Sequence, residues 1–184
     1  MNVEEFFKLR ESDPDHRYEY IDGEVYMIAG GTPNHSIIGS NVGRILGNLL
    51  ENRSCIVYNS DVYVQLAENA RVCPDVSVSC DPRDRKAPEA IQYPRVIVEV
   101  LSPGTEARDR GIKFAKYRTC PSIQEYLLIN PERKEVELFR REKENLWTIW
   151  TFGPGDQIEL TSLGVRFLAA DIYKKVYFQE ASYV

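Results

Sequence analysis

Residues 94–101 read Pro-Arg-Val-Ile-Val-Glu-Val-Leu, a run so rich in Val and Ile that it offers water no polar face. A strand of that composition is covered on both sides, so the chain has to place layers above and below a sheet. Ser102-Pro103-Gly104 breaks the run before a charged segment of helical character, residues 105–118. That makes a strand-to-helix crossover. One carboxylate, Glu99, stands inside the apolar run. A buried acid costs several kcal/mol unless it is paired or binds a cation, so Glu99 needs a partner.

The remaining segments arrange themselves around this strand. Residues 3–10 read as a short helix, and residues 18–30 as two strands joined at Asp22-Gly23, a dipeptide that tolerates the positive φ of a tight hairpin. Gly30 and Gly31 end the hairpin. From His35 to Glu51, the residues Ile38, Val42, Ile45, Leu46 and Leu49 recur at helical spacing and make one apolar face. Three runs with the β-branched and aromatic content of strands follow, at 55–60, 61–67 and 72–80. A polar loop rich in Pro and charge, 81–94, leads into the Val/Ile run. Residues 125–130 resume strand character, 135–141 and 146–152 pattern as a hairpin, and 163–176 as an edge strand and terminal helix. No repeat or linker interrupts the 184 residues. One domain over 1–184 is expected, an α/β mixed sheet with flanking helices.

No stretch reaches the roughly 18 consecutive apolar residues of a membrane span, and the start, MNVEEFFKLRESD, lacks the apolar region of a signal peptide. A cytoplasmic protein without membrane contact is expected. Cys55, Cys73, Cys80 and Cys120 form no CxxC pair, and they read as reduced, largely buried thiols. The net charge of −5 excludes a basic coat for indiscriminate nucleic-acid binding. Basic residues do concentrate at 83–86 and 108–118, on either side of the Val/Ile run.

A second acid, Asp75, follows Pro74 in the strand-like run 72–80. Each acid alone has an ordinary structural reading: Asp75 caps a turn after proline, and Glu99 pairs with an arginine such as Arg95 or Arg108. Together, on neighbouring strands, they would supply hard oxygen ligands suited to Mg²⁺ or Mn²⁺. In the helix that follows, Asp109, Lys113 and Tyr117 share a stripe at four-residue spacing. By composition alone Ala107, Gly111 and Phe114 mark a different face for burial, which leaves that stripe to solvent.

PDVSVSCD, PRVIVEVLSPGTEARDRGIKFAKYR and the earlier IDGE and PNHS segments resemble the Uma-family restriction-endonuclease-like proteins, over roughly residues 16–140. The resemblance implies a PD-(D/E)xK nuclease core, a central mixed β-sheet flanked by helices, with Asp75 and Glu99 as the two catalytic and metal-binding acids. Two residues after Glu99 stands Leu101 where the motif has lysine. The family pattern offers Lys113 as the substitute, an amine that reaches the same site from the following helix. Glu24 matches a further catalytic position. His35, Arg108, Asp109 and Tyr117 are assigned to substrate binding, Asp109 also as a support for Lys113 and Tyr117 as a contact to the phosphate backbone.

The function this implies is a Mg²⁺- or Mn²⁺-dependent endonuclease acting on nucleic acid, DNA in the first place. The carbonyl of Val100 joins the ligand set, and Arg83, Arg85, Lys86, Arg108 and Arg110 are phosphate contacts. A homodimer is expected by analogy. Two alternatives stand beside it. One is a catalytically inactive nuclease fold used as a binding or regulatory module, consistent with Leu101 and the acidic charge. The other is a different hydrolase or a dimerisation protein that uses Tyr173, Tyr177, Phe178 and Tyr183 as its interface, disfavoured because His16 and His35 are the only histidines.

Overall fold

The computed structural model describes residues 1–28 and 30–178. In chain order, α1 (Val3–Ser12) precedes the hairpin β1 (Tyr18–Ile21) and β2 (Glu24–Met27), then α2 (Pro33–Leu50) and the strands β3 (Ile56–Asn59), β4 (Tyr63–Ala67), β5 (Ala70–Val72) and β6 (Val76–Ser79). A single tight turn of helix, Asp84–Lys86, leads to β7 (Ala90–Ile91) and β8 (Pro94–Val100). The crossover helix is α3 (Glu106–Arg108), a π-helical turn (Asp109–Lys113) and α4 (Phe114–Thr119). There follow β9 (Glu125–Ile129), β10 (Val136–Lys143), β11 (Leu146–Phe152), β12 (Gln157–Leu160), β13 (Val165–Leu168) and the single turn α5 (Ala169–Ile172).

The Val/Ile run sits where its composition requires. β8 lies inside a six-stranded sheet of order β11-β10-β9-β8-β6-β3, antiparallel to β6 and parallel to β9, and all of its residues except Arg95 are buried. Because side chains alternate along a strand, Val96, Val98 and Val100 pack against Ile38, Val42, Ile45, Leu46 and Leu50 of α2 on one face. Ile97 and the following Leu101 pack on the other face with Tyr117 of α4 and with Ile21, Val64 and Val72 of a second sheet, ordered β2-β1-β5-β4-β7. Each aliphatic side chain buried this way contributes about 1.5–3 kcal/mol relative to exposure. Leu49, which spacing put on the apolar face of α2, is left 39% exposed, and Leu50 takes its place. The hairpin turn has φ of 52° at Asp22 and 91° at Gly23, the left-handed pair that Asp-Gly accommodates.

Several expectations are corrected. Residues 72–80 do not form one strand: β5 belongs to the five-stranded sheet and β6 to the six-stranded one, and the chain crosses between them at Cys73-Pro74-Asp75. Pro74 has no N–H to donate to a ladder, so the strand has to stop there. The residues after 153 supply a separate two-stranded sheet, β12-β13, rather than an edge strand of the main one. The four cysteines are not all thiols. Ile56 of β3 is paired with Ser79 of β6, which sets the flanking Cys55 and Cys80 opposite each other in a disulfide with Cα atoms 3.9 Å apart. Cys73 and Cys120 are free and buried, and burial pushes the Cys73 thiol up to about 12, which leaves it unreactive.

Of the C-terminal aromatics, Tyr173 is 4% exposed with its hydroxyl donating to the Glu135 carbonyl at 2.7 Å, a core contact rather than an interface residue. Tyr177 is exposed, Phe178 packs against the α2 side of the core, and Tyr183 lies outside the described residues. Among the described residues no helix is long and apolar enough to cross a membrane.

Candidate active site

Asp75 stands directly before β6, and the pairing of Val76 with Val98 puts it across from Glu99 on β8. The Val100 N–H donates to Asp75 Oδ2 at 2.7 Å, which fixes the carboxylate at the mouth of the strand pair. Glu99, 4% exposed, points to the side covered by the crossover helix. That helix answers it with Lys113, whose Nζ lies 2.6 Å from Glu99 Oε1, and with Tyr117, whose hydroxyl donates to the same oxygen at 2.6 Å.

The face containing Asp109, Lys113 and Tyr117 is therefore the buried one, while Ala107 and Gly111 are exposed. Composition pointed the other way because the polar stripe looked like the solvent face; its cost is offset by ion pairing with Glu99 and by the π-helical turn, which brings Asp109 and Lys113 inward together. Tyr126 of β9 closes this turn by donating to the Asp109 carbonyl at 3.1 Å.

A third acid, absent from the sequence reading, completes the cluster. Glu19 of β1 is 2% exposed; its Oε1 accepts from Lys113 Nζ at 2.9 Å and from the Cys73 N–H at 3.0 Å. One carboxylate thus ties the hairpin both to the crossover helix and to the Cys73-Pro74-Asp75 passage. The detectable signal was an acid at the centre of Tyr-Glu-Tyr-Ile, between residues that must be buried; Glu24 drew attention instead because IDGE matched the family pattern. Glu24 is exposed at the far side of the turn and is not among the residues lining the cleft.

These groups open on a cleft of about 1050 Å³ whose walls include Glu19, His35, Asp75, Glu99, Arg108 and Lys113. His35, in the first turn of α2, brings Nε2 to 3.4 Å from Asp75 Oδ2. Arg108 stacks over the Tyr26 ring at 4.6 Å and lies 3.7 Å from Glu19 Oε2. Tyr117 is fully buried with its hydroxyl on Glu99 and is not among the residues lining the cleft. Arg83 and Arg85 are tied elsewhere, to Asp81 and to the Ser54 carbonyl, and Arg110 to Glu106 and Glu137. None of these three, nor Lys86, lines the cleft. Glu99 pairs with neither Arg95 nor Arg108: its cation is Lys113.

Around Lys113 the charges do not balance. Glu99, Glu19 and Asp109 all lie within 3.4 Å of one ammonium. Burial, with Asp109 and Asp75 adding to it, pushes Glu99 well above the ordinary carboxylate range, and Lys113 only partly opposes this. Burial likewise raises Asp109. Burial alone would depress Lys113, but Glu99, Glu19 and Asp109 outweigh it and hold the ammonium above the usual lysine value. The hydrogen bond to Asp75 raises His35 against the opposing effect of burial. All four shifts favour the more positive form, as expected of a low-dielectric site with too much negative charge.

The fold that carries this site is restriction-endonuclease-like. It matches a crystal structure described as "a putative nuclease belonging to DUF820" from Anabaena variabilis with a TM-score of 0.78, over 96% of this chain and 99% of that one, at 19% identity. The family model Uma2, described as "Putative restriction endonuclease", matches residues 3–170, and this chain belongs to the Uma2 family. Among similar proteins are two from Synechocystis sp.: slr1290 is 39% identical over 179 residues, 97% of this chain and 94% of that one, and sll1609 is 31% identical over 160 residues, 85% and 90% respectively.

Proposed function

We propose that the cleft hydrolyses phosphodiester bonds of nucleic acid with a divalent cation, Mg²⁺ or Mn²⁺, held by Asp75 and Glu99. The observation that carries this reading is the three carboxylates gathered on the single ammonium of Lys113, an arrangement that an added cation would neutralise. The donor set fits such an ion: among the described residues no hydrogen bond is made to Asp75 Oδ1 or Glu99 Oε2, and both acids line the cleft. Carboxylate oxygens are the ligands these hard cations take. When bound, the cation supplies Lewis acidity and positive charge for the phosphoryl oxygens.

The chain's own residues supply the rest. Lys113 keeps its proton and presents a fixed ammonium beside Glu99, in the place that the lysine of an ExK motif would fill from the strand. Tyr117 and the Val100 N–H fix the orientation of the two acids, so no reorganisation is needed when charge develops. Arg108, held flat by Tyr26, has a buried Nε without a hydrogen-bond partner among the described residues and serves as the phosphate contact in the cleft. His35 holds a proton at Nε2 beside Asp75 and stands next to the scissile phosphate.

Purified protein incubated with plasmid and with single-stranded DNA, with and without Mn²⁺, tests this directly when Glu99→Gln is run in parallel. Metal-dependent cleavage lost in the variant is expected. Equal cleavage by both proteins would overturn the assignment. One observation favours a second reading, the inactive binding module: among the described residues no three His, Cys, Asp or Glu side chains are placed so that they could hold one metal ion together, the three carboxylates on Lys113 being turned to its ammonium. That reading predicts no Mn²⁺ affinity dependent on Asp75.

A further inference from the structure

β11 forms one end of the six-stranded sheet, and among the described residues no strand pairs with its outer edge. An edge strand leaves a row of backbone N–H and C=O groups open to any other strand, and proteins ordinarily blunt such an edge with charge, proline, a bulge or brevity. β11 has none of these along its length. It runs for seven residues, and no charged residue stands between Glu144 and Asp156. The irregularity of its ladder with β10 lies at the turn, between Arg141 and Lys143, and residues 147–152 keep an even register. The side chains are equally bare: Leu146, Ile149 and Trp150 are 53%, 60% and 51% exposed. Ile149 and Trp150 extend the two faces of the sheet beyond Phe139 and Leu138, their buried partners on β10. Exposed apolar surface gathered in this way marks a contact with another protein chain.

Charge decides what can lie against this edge. A strand bearing Lys, Arg, Asp or Glu would bury an unpaired charge there, since β11 offers no opposite charge to meet it. A second β11 buries none. Laid antiparallel about a two-fold axis through Ile149, the strand sets Ile149 against itself, Leu146 against Phe152, Trp147 against Thr151 and Thr148 against Trp150, and makes the two Trp150 rings diagonal neighbours. Pairs of β-branched and aromatic side chains are the ones that stabilise antiparallel strands, and no like charges are opposed. The remaining edges bound the assembly. β3, β2, β7, β12 and β13, which end the three sheets, hold four residues or fewer. With one long bare edge per chain, a self-complementary contact closes at two copies.

We infer that two copies of this chain join through β11, antiparallel across a two-fold axis at Ile149, so that their six-stranded sheets become one continuous sheet. Backbone hydrogen bonds give the contact its register, and Ile149, Trp150, Leu146 and Phe152 give it apolar cover on both faces. No residue of β11 lines the cleft, whereas Val57, Tyr58 and Asn59 of β3, at the opposite edge, do. Pairing at β11 therefore carries the two clefts outward and covers neither. The contact does not rest on the phosphodiesterase reading.

Sedimentation velocity over a wide range of concentration tests this. Wild type is expected at twice the chain mass of 21.2 kDa. Ile149→Lys and Ile149→Glu each oppose like charges at the axis, and each is expected to sediment at half the wild-type mass. Mixed in equal amounts, the two variants should restore the dimer, because the axis then opposes an ammonium to a carboxylate. Ile149→Cys keeps the site apolar and should link two chains through a disulfide on mild oxidation, since residues directly opposed in antiparallel strands stand within disulfide reach. A wild-type monomer at every concentration overturns the pairing and leaves the edge to a strand of another protein. Assembly beyond two copies overturns it as well. A dimer that persists in both charged variants, or monomers that stay apart when mixed, or an Ile149→Cys chain that does not cross-link, would each place the contact elsewhere. Cleavage by wild type against Glu99→Gln judges the phosphodiesterase reading separately, so either can fail alone.

Discussion

Lys113 Nζ lies 2.6 Å from Glu99 Oε1, although the motif that pairs an acid with a lysine two residues later has Leu101 in that place. A strand places residues i and i+2 on one face, so Leu101 points to the same side as Glu99 and is buried there at 3% exposure. The ammonium reaches the acid from the helix instead, and it is held by Glu19 and Asp109 as well as by Glu99. Lys113 is thus both the site's fixed cation and its structural keystone.

Lys113→Met should cost about 3–5 kcal/mol, because it leaves three buried carboxylates without their cation. Urea denaturation at neutral pH measures this. A loss below about 1 kcal/mol, the range of an exposed pair, would show that the cluster is not the buried network described.

Tyr117→Phe removes one donor from Glu99 Oε1 and leaves the ring packing intact. Hydrogen bonds to charged groups contribute about 1.5–3 kcal/mol, so a stability loss of that size is expected from chemical denaturation. No loss would mean that water replaces the hydroxyl.

Stability should depend on pH in a direction opposite to that of ordinary salt-bridged carboxylates. Glu99 and Asp109 hold their protons more tightly in the folded protein than in the unfolded chain, chiefly because they are buried. Where the folded state binds more protons, stability falls as pH rises, here from the ordinary carboxylate range upward through the raised folded values. Lys113, raised, contributes below its unfolded value and fades only in the alkaline range. Glu99→Gln, which copies the protonated form, should gain on wild type as pH increases from about 4.5 to 8, the lower limit being the ordinary glutamate value. A stability gap that does not change with pH would contradict the shift.

Mn²⁺ should raise the melting temperature of wild type, since a ligand at a hundred times its dissociation constant stabilises by about 2.7 kcal/mol. Asp75→Ala should abolish that rise, as should Glu99→Gln. A rise that survives both substitutions would place the cation elsewhere.

Much of the fold was legible because it rests on local patterns. The unbroken apolar run of β8, the four-residue rhythm of Ile38, Val42 and Leu46, and the Asp22-Gly23 turn each state a conformation that few other sequences tolerate. Asp75 and Glu99 stood out because an acid among Val and Ile, or just after a strand-breaking proline, needs a reason. Local pattern failed wherever the answer depended on which segments become neighbours. Cys55 and Cys80 looked unrelated until β3 paired with β6. Residues 72–80 looked like one strand because a sequence does not say that its two halves join different sheets.

The sequence by itself determined the layered sheet, the helix over it and the prominence of Asp75 and Glu99, because hydrophobic periodicity and the cost of burying a charge act within a few residues. Only the tertiary structure decided that Glu19 rather than Glu24 enters the cluster and that Asp109, Lys113 and Tyr117 face inward. Those outcomes depend on electrostatic and steric terms between segments far apart in the chain. A buried ammonium is tolerable only once Glu19 of β1 and Glu99 of β8 have been brought to it beside Asp109 of its own turn.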